Sequence, residues 1–169
     1  ATWDRELSFN LTSAFLVARN VLPVLVEQGA GALVLTSSGQ AVMAATDRAG
    51  YAAAKAGVIS LTRSLAGSVA KYGVRVNCVA PGPVWTPLNA SSRTPEQLAG
   101  YGDQTDGVPL GRPAQPEEIA PAFLFFASNA DSSYVTGETL ALFGGQVLAP
   151  LAGRMPDVCH GGRRYGRPL

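Results

Sequence analysis

The sequence has almost no excess of charge of either sign, and it has few cysteines. Its 169 residues carry 13 Lys and Arg against 12 Asp and Glu, a formal net charge of +1. No broad basic field therefore exists for nucleic acid or for an anionic membrane surface. Only two cysteines occur, and Cys78 and Cys159 form neither a disulfide framework nor a metal-binding spacing. We expect a reduced, cytoplasmic protein without a metal.

Long apolar runs are also missing, and histidine occurs once. No run of about 18 consecutive apolar residues is present, so we expect no transmembrane helix, and we also expect no signal peptide. His160 follows Cys159 within residues 150–169, whose Gly, Pro and Arg content predicts a disordered tail. What remains is rich in hydrophobic residues, 47% of the whole sequence. Residues 1–149 can therefore bury the core of a single domain.

Helical and strand patterns alternate along this domain. Apolar spacing predicts helices over residues 3–28, 50–72 and 116–128, and strands over 32–36, 74–80 and 138–143. The alternation predicts an α/β fold with a parallel sheet and right-handed crossovers. The continuous apolar run 32–36 is typical of a strand covered on both faces. Residues 87–114 are polar and punctuated by Pro and Gly, which predicts a long functional loop.

Tyr51 and Lys55 stand four residues apart near the start of the second predicted helix. Side chains with this spacing share one face of a helix, so the ammonium can lie beside the phenol. A phenol ordinarily releases its proton at about pH 10, and a neighbouring cation lowers that pKa. The pair can therefore serve as an acid/base catalyst. Taken alone, it fits an exposed tyrosine stacked on a helical lysine equally well.

Two more polar residues stand where chemistry is expected. Ser38 lies thirteen residues before Tyr51 and directly after a predicted strand, the place where ligands bind in open α/β sheets. Asn10 lies on the first predicted helix, twenty-eight residues before Ser38. Each alone is better explained as a turn serine or a solvated asparagine. Together with Tyr51 and Lys55, they indicate a common site.

In order and spacing, Asn10, Ser38, Tyr51 and Lys55 match the Asn-Ser-Tyr-Lys tetrad of the short-chain dehydrogenases/reductases. The chain resembles that family over residues 3–145, in strings such as NLTSAFLVAR, YAAAKAGVISLTRSLA and VRVNCVAPGPVWTP. The resemblance implies a Rossmann-like, doubly wound parallel sheet. It also implies NAD or NADP as the cofactor and a small alcohol or carbonyl compound as the substrate.

The resemblance implies a role for each tetrad residue. Tyr51 would exchange a proton with the substrate oxygen, and Ser38 would hydrogen-bond the same oxygen. Lys55 would hold the nicotinamide ribose, and Asn10 would anchor a water that continues a proton relay.

The segment after strand 74–80 resembles the family's cofactor segment. Backbone groups near Val84 would meet the nicotinamide carboxamide, and Thr86 would reach the carboxamide or a phosphate. The resemblance therefore predicts cofactor contacts at Pro81, Gly82, Val84 and Thr86, in addition to Tyr51 and Lys55. Taken alone, the Pro and Gly residues of this segment are better explained by a rigid turn.

The family's glycine-rich phosphate-binding turn is not found in this sequence. We therefore expect the C-terminal two-thirds of a family domain, truncated to its fifth, sixth and seventh strands. Strand 32–36 would then be an apolar sheet edge, and the chain would be poorly stable or oligomeric. A homodimer or homotetramer is the partner state that the family implies.

Three functions remain open at this point. The first is an NAD(P)-dependent oxidoreductase, and the second is a catalytically inactive remnant that acts only through subunit association. The third is a lyase or epimerase of the wider family, which would keep the tyrosine and lysine. Cofactor-dependent turnover separates the first two.

Overall fold

The structure, a computed structural model, describes residues 2–43, 48–103 and 106–146. The helices are α1 Trp3–Leu7, α2 Ser13–Gln28, α3 Ala49–Val69, α4 Pro87–Ser92, α5 Pro95–Ala99, α6 Pro116–Ala127 and α7 Asn129–Ser132, and the strands are β1 Gly31–Thr36, β2 Val74–Pro81 and β3 Thr139–Leu142. The three long predicted helices and the three predicted strands are confirmed to within a few residues. The predicted tail 150–169, with Cys159 and His160, lies outside the described residues.

The three strands form one parallel sheet in the order β1-β2-β3. Leu35 of β1 aligns with Cys78 of β2, and Cys78 aligns with Thr139 of β3. The predicted parallel α/β sheet is therefore confirmed. Because all strands run the same way, their carboxyl ends meet at one edge, which is where the predicted site residues of β1 and β2 lie.

β2 forms the centre of the core because helices cover both of its faces. Alternate side chains of a strand point to opposite faces. Val74, Val76 and Cys78 pack in clusters with α2 and α3, whereas Val79 packs with Phe126 of α6. The described residues thus form three layers, with a helix pair on one face of the sheet and α6 on the other.

The first helix contains a break in its hydrogen-bond pattern at the predicted asparagine. Between α1 and α2, residues Ser8–Thr12 form a π-helical turn that includes Asn10. Such turns are rare and occur frequently at functional sites. The turn therefore marks Asn10 by backbone geometry, independently of its spacing from the other site residues.

The whole helix Trp3–Gln28 is apolar on most sides and mostly uncovered. It meets the length and composition of a membrane-crossing helix, with a mean hydropathy of 1.5 over its most apolar window. A window can reach that average although polar residues interrupt it. The sequence analysis looked for an uninterrupted apolar run, which is why it predicted no transmembrane helix. The core helix of a soluble protein can have the same length and composition, so these two properties are weak evidence that the helix crosses a membrane.

Within the described residues β1 pairs only with β2, so it lies at an edge of the sheet, as predicted for strand 32–36. The prediction that both of its faces are covered holds in part, because α2 and α6 both contact it but only Leu35 is buried. The prediction of a loop over 87–114 was wrong in part, because the segment contains the short helices α4 and α5. Each begins with a proline, which is favourable at a first helical position, and Thr94 caps α5 through the Gln97 amide.

The short helix α7 was not predicted. Ser128 caps it through the Asp131 backbone amide, and the buried guanidinium of Arg75 binds Asn129 and Ser132 within it. Four residues are too few to produce a helical periodicity, so the sequence pattern gave no signal for this element.

Candidate active site

Tyr51 and Lys55 lie on one face of α3, as their spacing predicts. The Lys55 ammonium nitrogen lies 5.8 Å from the centroid of the Tyr51 ring. The same nitrogen donates a 3.1 Å hydrogen bond to the Thr36 carbonyl at the end of β1. Desolvation by burial lowers the pKa of Lys55 from its usual 10.5, an effect that the interaction with Cys78 partly offsets. A cation is therefore held between the phenol and the carboxyl edge of the sheet.

Two adjacent serines connect β1 to α3 and to the turn that follows. Ser37 is buried, and its hydroxyl donates a 2.7 Å hydrogen bond to the Lys55 carbonyl. Ser38 precedes a single 3₁₀ turn and accepts a 3.3 Å hydrogen bond from the Gln40 amide. Because that bond uses a lone pair of the Ser38 oxygen, the Ser38 proton stays available for another acceptor.

The Asn10 side chain is engaged by its own helix. Its amide nitrogen donates to the Glu6 carbonyl at 3.2 Å and to the Glu6 carboxylate at 2.8 Å. The Glu6 side chain packs against Gly50, where a Cβ atom would meet it at 3.4 Å. Glu6 therefore fixes the orientation of the Asn10 carboxamide next to the helix that carries Tyr51.

The segment Pro81–Thr86 crosses the carboxyl ends of β2 and β3. Gly82 donates a 2.9 Å backbone hydrogen bond to Leu142, and a Cβ atom on Gly82 would lie 3.1 Å from the Phe143 Cα atom. A side chain at this position would be tightly packed against the backbone of Phe143. The next residues pair with Ala114, which accepts from Trp85 at 2.8 Å and donates to Pro83 at 2.9 Å.

The backbone amide and carbonyl of Val84 take no part in the hydrogen bonds to Ala114. Its N–H donates to the Tyr101 hydroxyl at 3.2 Å, and its carbonyl accepts from the Asn89 side chain at 2.6 Å. A second hydrogen of the Asn89 amide reaches the Thr86 hydroxyl at 3.1 Å. Val84 and Thr86 thus present one donor and two acceptors to a carboxamide-shaped group.

A small cleft of about 150 Å³ opens beside this segment, between the ends of the strands and α6. Its walls include Pro83, Ile119 and Phe143, and Arg112 and Glu118 form part of its lining. Those two side chains form a salt bridge of 2.7 Å, and the Arg112 hydrogen bond lowers the pKa of Glu118 to about 2. The cleft is therefore mostly apolar, with a fixed ion pair in its wall.

The structure brings most of the predicted site residues to one edge of the sheet. Lys55 binds the end of β1, Ser38 lies two residues after that strand, and Val84 follows β2. The sequence alone does not single out four further residues of the site, which are Ser37, Glu6, Asn89 and Tyr101. Ser37 could have been found from its position beside Ser38. The other three act through contacts that no local sequence pattern encodes.

A parallel sheet with helices on both faces and polar residues at its carboxyl edge is the arrangement of the doubly wound α/β folds, which bind ligands at that edge. A family model described as enoyl-(acyl carrier protein) reductase matches residues 1–146. The chain belongs to the short-chain dehydrogenase/reductase family.

Individual relatives agree with that assignment. A 3-oxoacyl-[acyl-carrier-protein] reductase of Thermotoga maritima is 38% identical over 146 residues, which cover 86% of this chain and 57% of the relative. The crystal structure of levodione reductase is 36% identical, with a TM-score of 0.78 over 85% of this chain and 57% of that one. A gluconate 5-dehydrogenase from Burkholderia cenocepacia, solved with NADP and tartrate, is 31% identical, with a TM-score of 0.75 over 85% and 55%.

The chain spans about half the length of the curated relatives it matches. The matches include the start of the chain. Family membership and the parallel α/β fold rest on these comparisons, whereas activity, substrate and partners do not follow from them alone.

Proposed function

We propose that this protein is part of an NAD(P)-dependent oxidoreductase that interconverts a small alcohol and its carbonyl compound. The observation that carries the proposal is the placement of Lys55 between the Tyr51 ring and the end of β1. A fixed cation beside a phenol, at the carboxyl edge of a parallel sheet, suits proton transfer to an oxygen bound there. An inactive remnant would need none of this arrangement.

Each site residue has a chemical role in this proposal. Tyr51 gives its phenolic proton to the substrate oxygen in reduction and takes it back in oxidation. Ser38 donates a hydrogen bond to the same oxygen and holds it in place. Lys55 keeps a positive charge beside Tyr51 and stabilises the phenolate that forms when the proton leaves. Asn10, oriented by Glu6, completes the tetrad from the neighbouring helix and would hold the water that returns the proton.

The polar groups of Val84 and Thr86 fit the cofactor that the family implies. One N–H and two oxygen acceptors already hold a hydroxyl and a carboxamide there, so they match the carboxamide of a nicotinamide. Lys55 would hold the ribose, and Pro81 and Gly82 would shape the backbone beside it. The nicotinamide supplies the hydride, and the choice between NAD and NADP stays open.

A small substrate is supported by two observations. The mostly apolar cleft beside the segment has a volume of about 150 Å³. The levodione reductase and gluconate 5-dehydrogenase neighbours act on small oxygenated compounds, as their names state. We propose a substrate of that size, such as a polyol, a sugar acid or a cyclic ketone, and a cytoplasmic homo-oligomer as the working form.

The test is cofactor-dependent turnover by the full natural protein. Reduced NAD or NADP is mixed with a panel of polyol-derived, sugar-acid and cyclic ketones, and the loss of absorbance at about 340 nm is followed. We expect turnover of at least one compound, with one cofactor strongly preferred. Cofactor binding without oxidation or reduction of any compound would favour a lyase or epimerase, and no cofactor binding would favour the inactive remnant.

A further inference from the structure

The cofactor groups of Val84 and Thr86 are already hydrogen-bonded by side chains of the following segment. The Asn89 amide nitrogen donates to the Val84 carbonyl at 2.6 Å and to the Thr86 hydroxyl at 3.1 Å. The Tyr101 hydroxyl accepts from the Val84 amide at 3.2 Å and donates weakly to its carbonyl at 3.3 Å. All three groups that suit a carboxamide are thus engaged within the chain.

The two side chains form one unit because Arg93 joins them. Arg93 donates to the Asn89 carboxamide oxygen, and its guanidinium carbon lies 4.3 Å from the centroid of the Tyr101 ring. Asn89 lies on α4, and Tyr101 follows α5. A change at either side chain is therefore transmitted to both short helices.

We propose that Asn89 and Tyr101 compete with the cofactor's carboxamide for Val84 and Thr86, and so determine the affinity for the dinucleotide. This inference rests on the proposed function. A carboxamide bound at Val84 needs its N–H, which has one hydrogen and donates it to the Tyr101 hydroxyl. It also needs the Val84 carbonyl, whose two lone pairs already accept from Asn89 and Tyr101. Cofactor and segment therefore exclude each other at this point.

Competition of this kind has a defined thermodynamic consequence. The apparent affinity of a ligand is reduced by the fraction of protein in which its site is available. Removing one competing hydrogen bond raises that fraction, and one such bond corresponds to a change of about two- to tenfold in an equilibrium constant. By reciprocity, bound cofactor releases α4 and α5 from Val84.

The test measures binding, and it uses the full natural protein carrying Trp3→Phe. Of the two tryptophans in this sequence, this change leaves Trp85 as the reporter, and its ring lies 6.3 Å from the Tyr101 ring between centroids. Any further tryptophan of the full protein is replaced with phenylalanine in the same way. Tyr101→Phe removes one hydroxyl and keeps the ring, and Asn89→Leu replaces the amide with an apolar group of similar size. Ser91→Ala on α4 and Tyr134→Phe at an exposed site are the matched controls.

Each protein is titrated with the preferred nicotinamide dinucleotide and with the matching ADP-ribose, which has no carboxamide. We expect Tyr101→Phe and Asn89→Leu to bind the dinucleotide about two- to tenfold more tightly, with ADP-ribose affinity unchanged. The controls should match the parent. Trp85 emission should change with the dinucleotide and not with ADP-ribose.

Three outcomes would overturn the inference, and they are distinguishable. Dinucleotide binding by the parent with equal or weaker binding by both variants overturns the competition and leaves the proposed function intact. A parallel gain for ADP-ribose shows general loosening of the segment and also overturns it. No dinucleotide binding by the parent overturns the proposed function together with the inference. If circular dichroism shows that Asn89→Leu is unfolded, the single-atom variant Tyr101→Phe decides the result.

Discussion

At the residue scale, the site depends on how much of each polar group is withdrawn from water. Lys55 is partly buried, and desolvation lowers its pKa from the usual 10.5. The protein keeps this cation because the Thr36 carbonyl and the Tyr51 ring surround it. Ser37 contributes by tying the Lys55 backbone to the end of β1. The same set of contacts therefore determines both the position of Lys55 and the placement of its charge at this edge of the sheet.

The burial of Lys55 predicts a pH-dependent stability. Between its lowered folded-state pKa and 10.5, the unfolded chain binds more protons than the folded chain, so the free energy of unfolding rises with pH. Lys55→Met should remove that rise in denaturant midpoints measured from about pH 8 to 10.5. Lys71→Met, which changes the exposed lysine just after the same helix, should keep that rise. Equal slopes in both variants would contradict this account of Lys55.

At the element scale, helix α3 has one crowded side and one open side. A Cβ atom on Gly57 would lie 2.8 Å from the Leu11 side chain, whereas a Cβ atom on Gly67 would meet nothing within 4 Å. The close approach at Gly57 brings the π-helical turn with Asn10 next to the helix of Tyr51. The two glycines therefore have different roles, although both lie within one helix.

This difference predicts opposite effects on stability. Gly57→Val should destabilise the protein by about 1–3 kcal/mol, because the added methyl groups overpack against Leu11. Gly67→Ala should stabilise it by up to about 1 kcal/mol, because alanine favours the helix and meets no neighbour. Urea unfolding of both variants measures the two values. A stabilising Gly57→Val would show that the helices do not pack as described.

The sequence predicted the elements well and the contacts poorly. The three long helices, the parallel sheet and the Tyr51–Lys55 face follow from periodicity and spacing, because those signals are local. Helices α4 and α5 were not predicted because the Pro and Gly content of residues 87–114 indicated a loop. A proline also starts each of these helices, but that signal was given less weight. Glu6, Asn89 and Tyr101 could not be found, since each acts on a residue whose position is set by packing.

At the scale of the whole molecule, the described residues leave large apolar surfaces uncovered. Phe9, Val17 and Val24 of the first helical stretch are 69%, 55% and 52% exposed, and β1 pairs on one side only. Apolar patches of this kind mark interaction surfaces, and an open strand edge invites pairing. We propose that the helix Trp3–Gln28 is an association surface.

A chain of these 169 residues is expected to self-associate. Sedimentation at micromolar concentrations should give a dimer or a larger species. Val17→Lys with Val24→Lys should shift it toward the monomer, because two charges would be buried in the contact. Ala130→Lys on the exposed surface of α7 should have no effect. A dilute monomer with a clean cooperative unfolding transition would contradict this expectation.

The central claim is that Tyr51 transfers the proton in a hydride-transfer reaction, and one pair of variants tests it most directly. Tyr51→Phe and Tyr72→Phe are compared with the parent for cofactor-dependent turnover and for cofactor affinity. We predict that Tyr51→Phe lowers kcat by about 10²–10⁴-fold while cofactor still binds, and that Tyr72→Phe, at a half-exposed phenol beyond the helix, changes neither. Full turnover by Tyr51→Phe would contradict the claim.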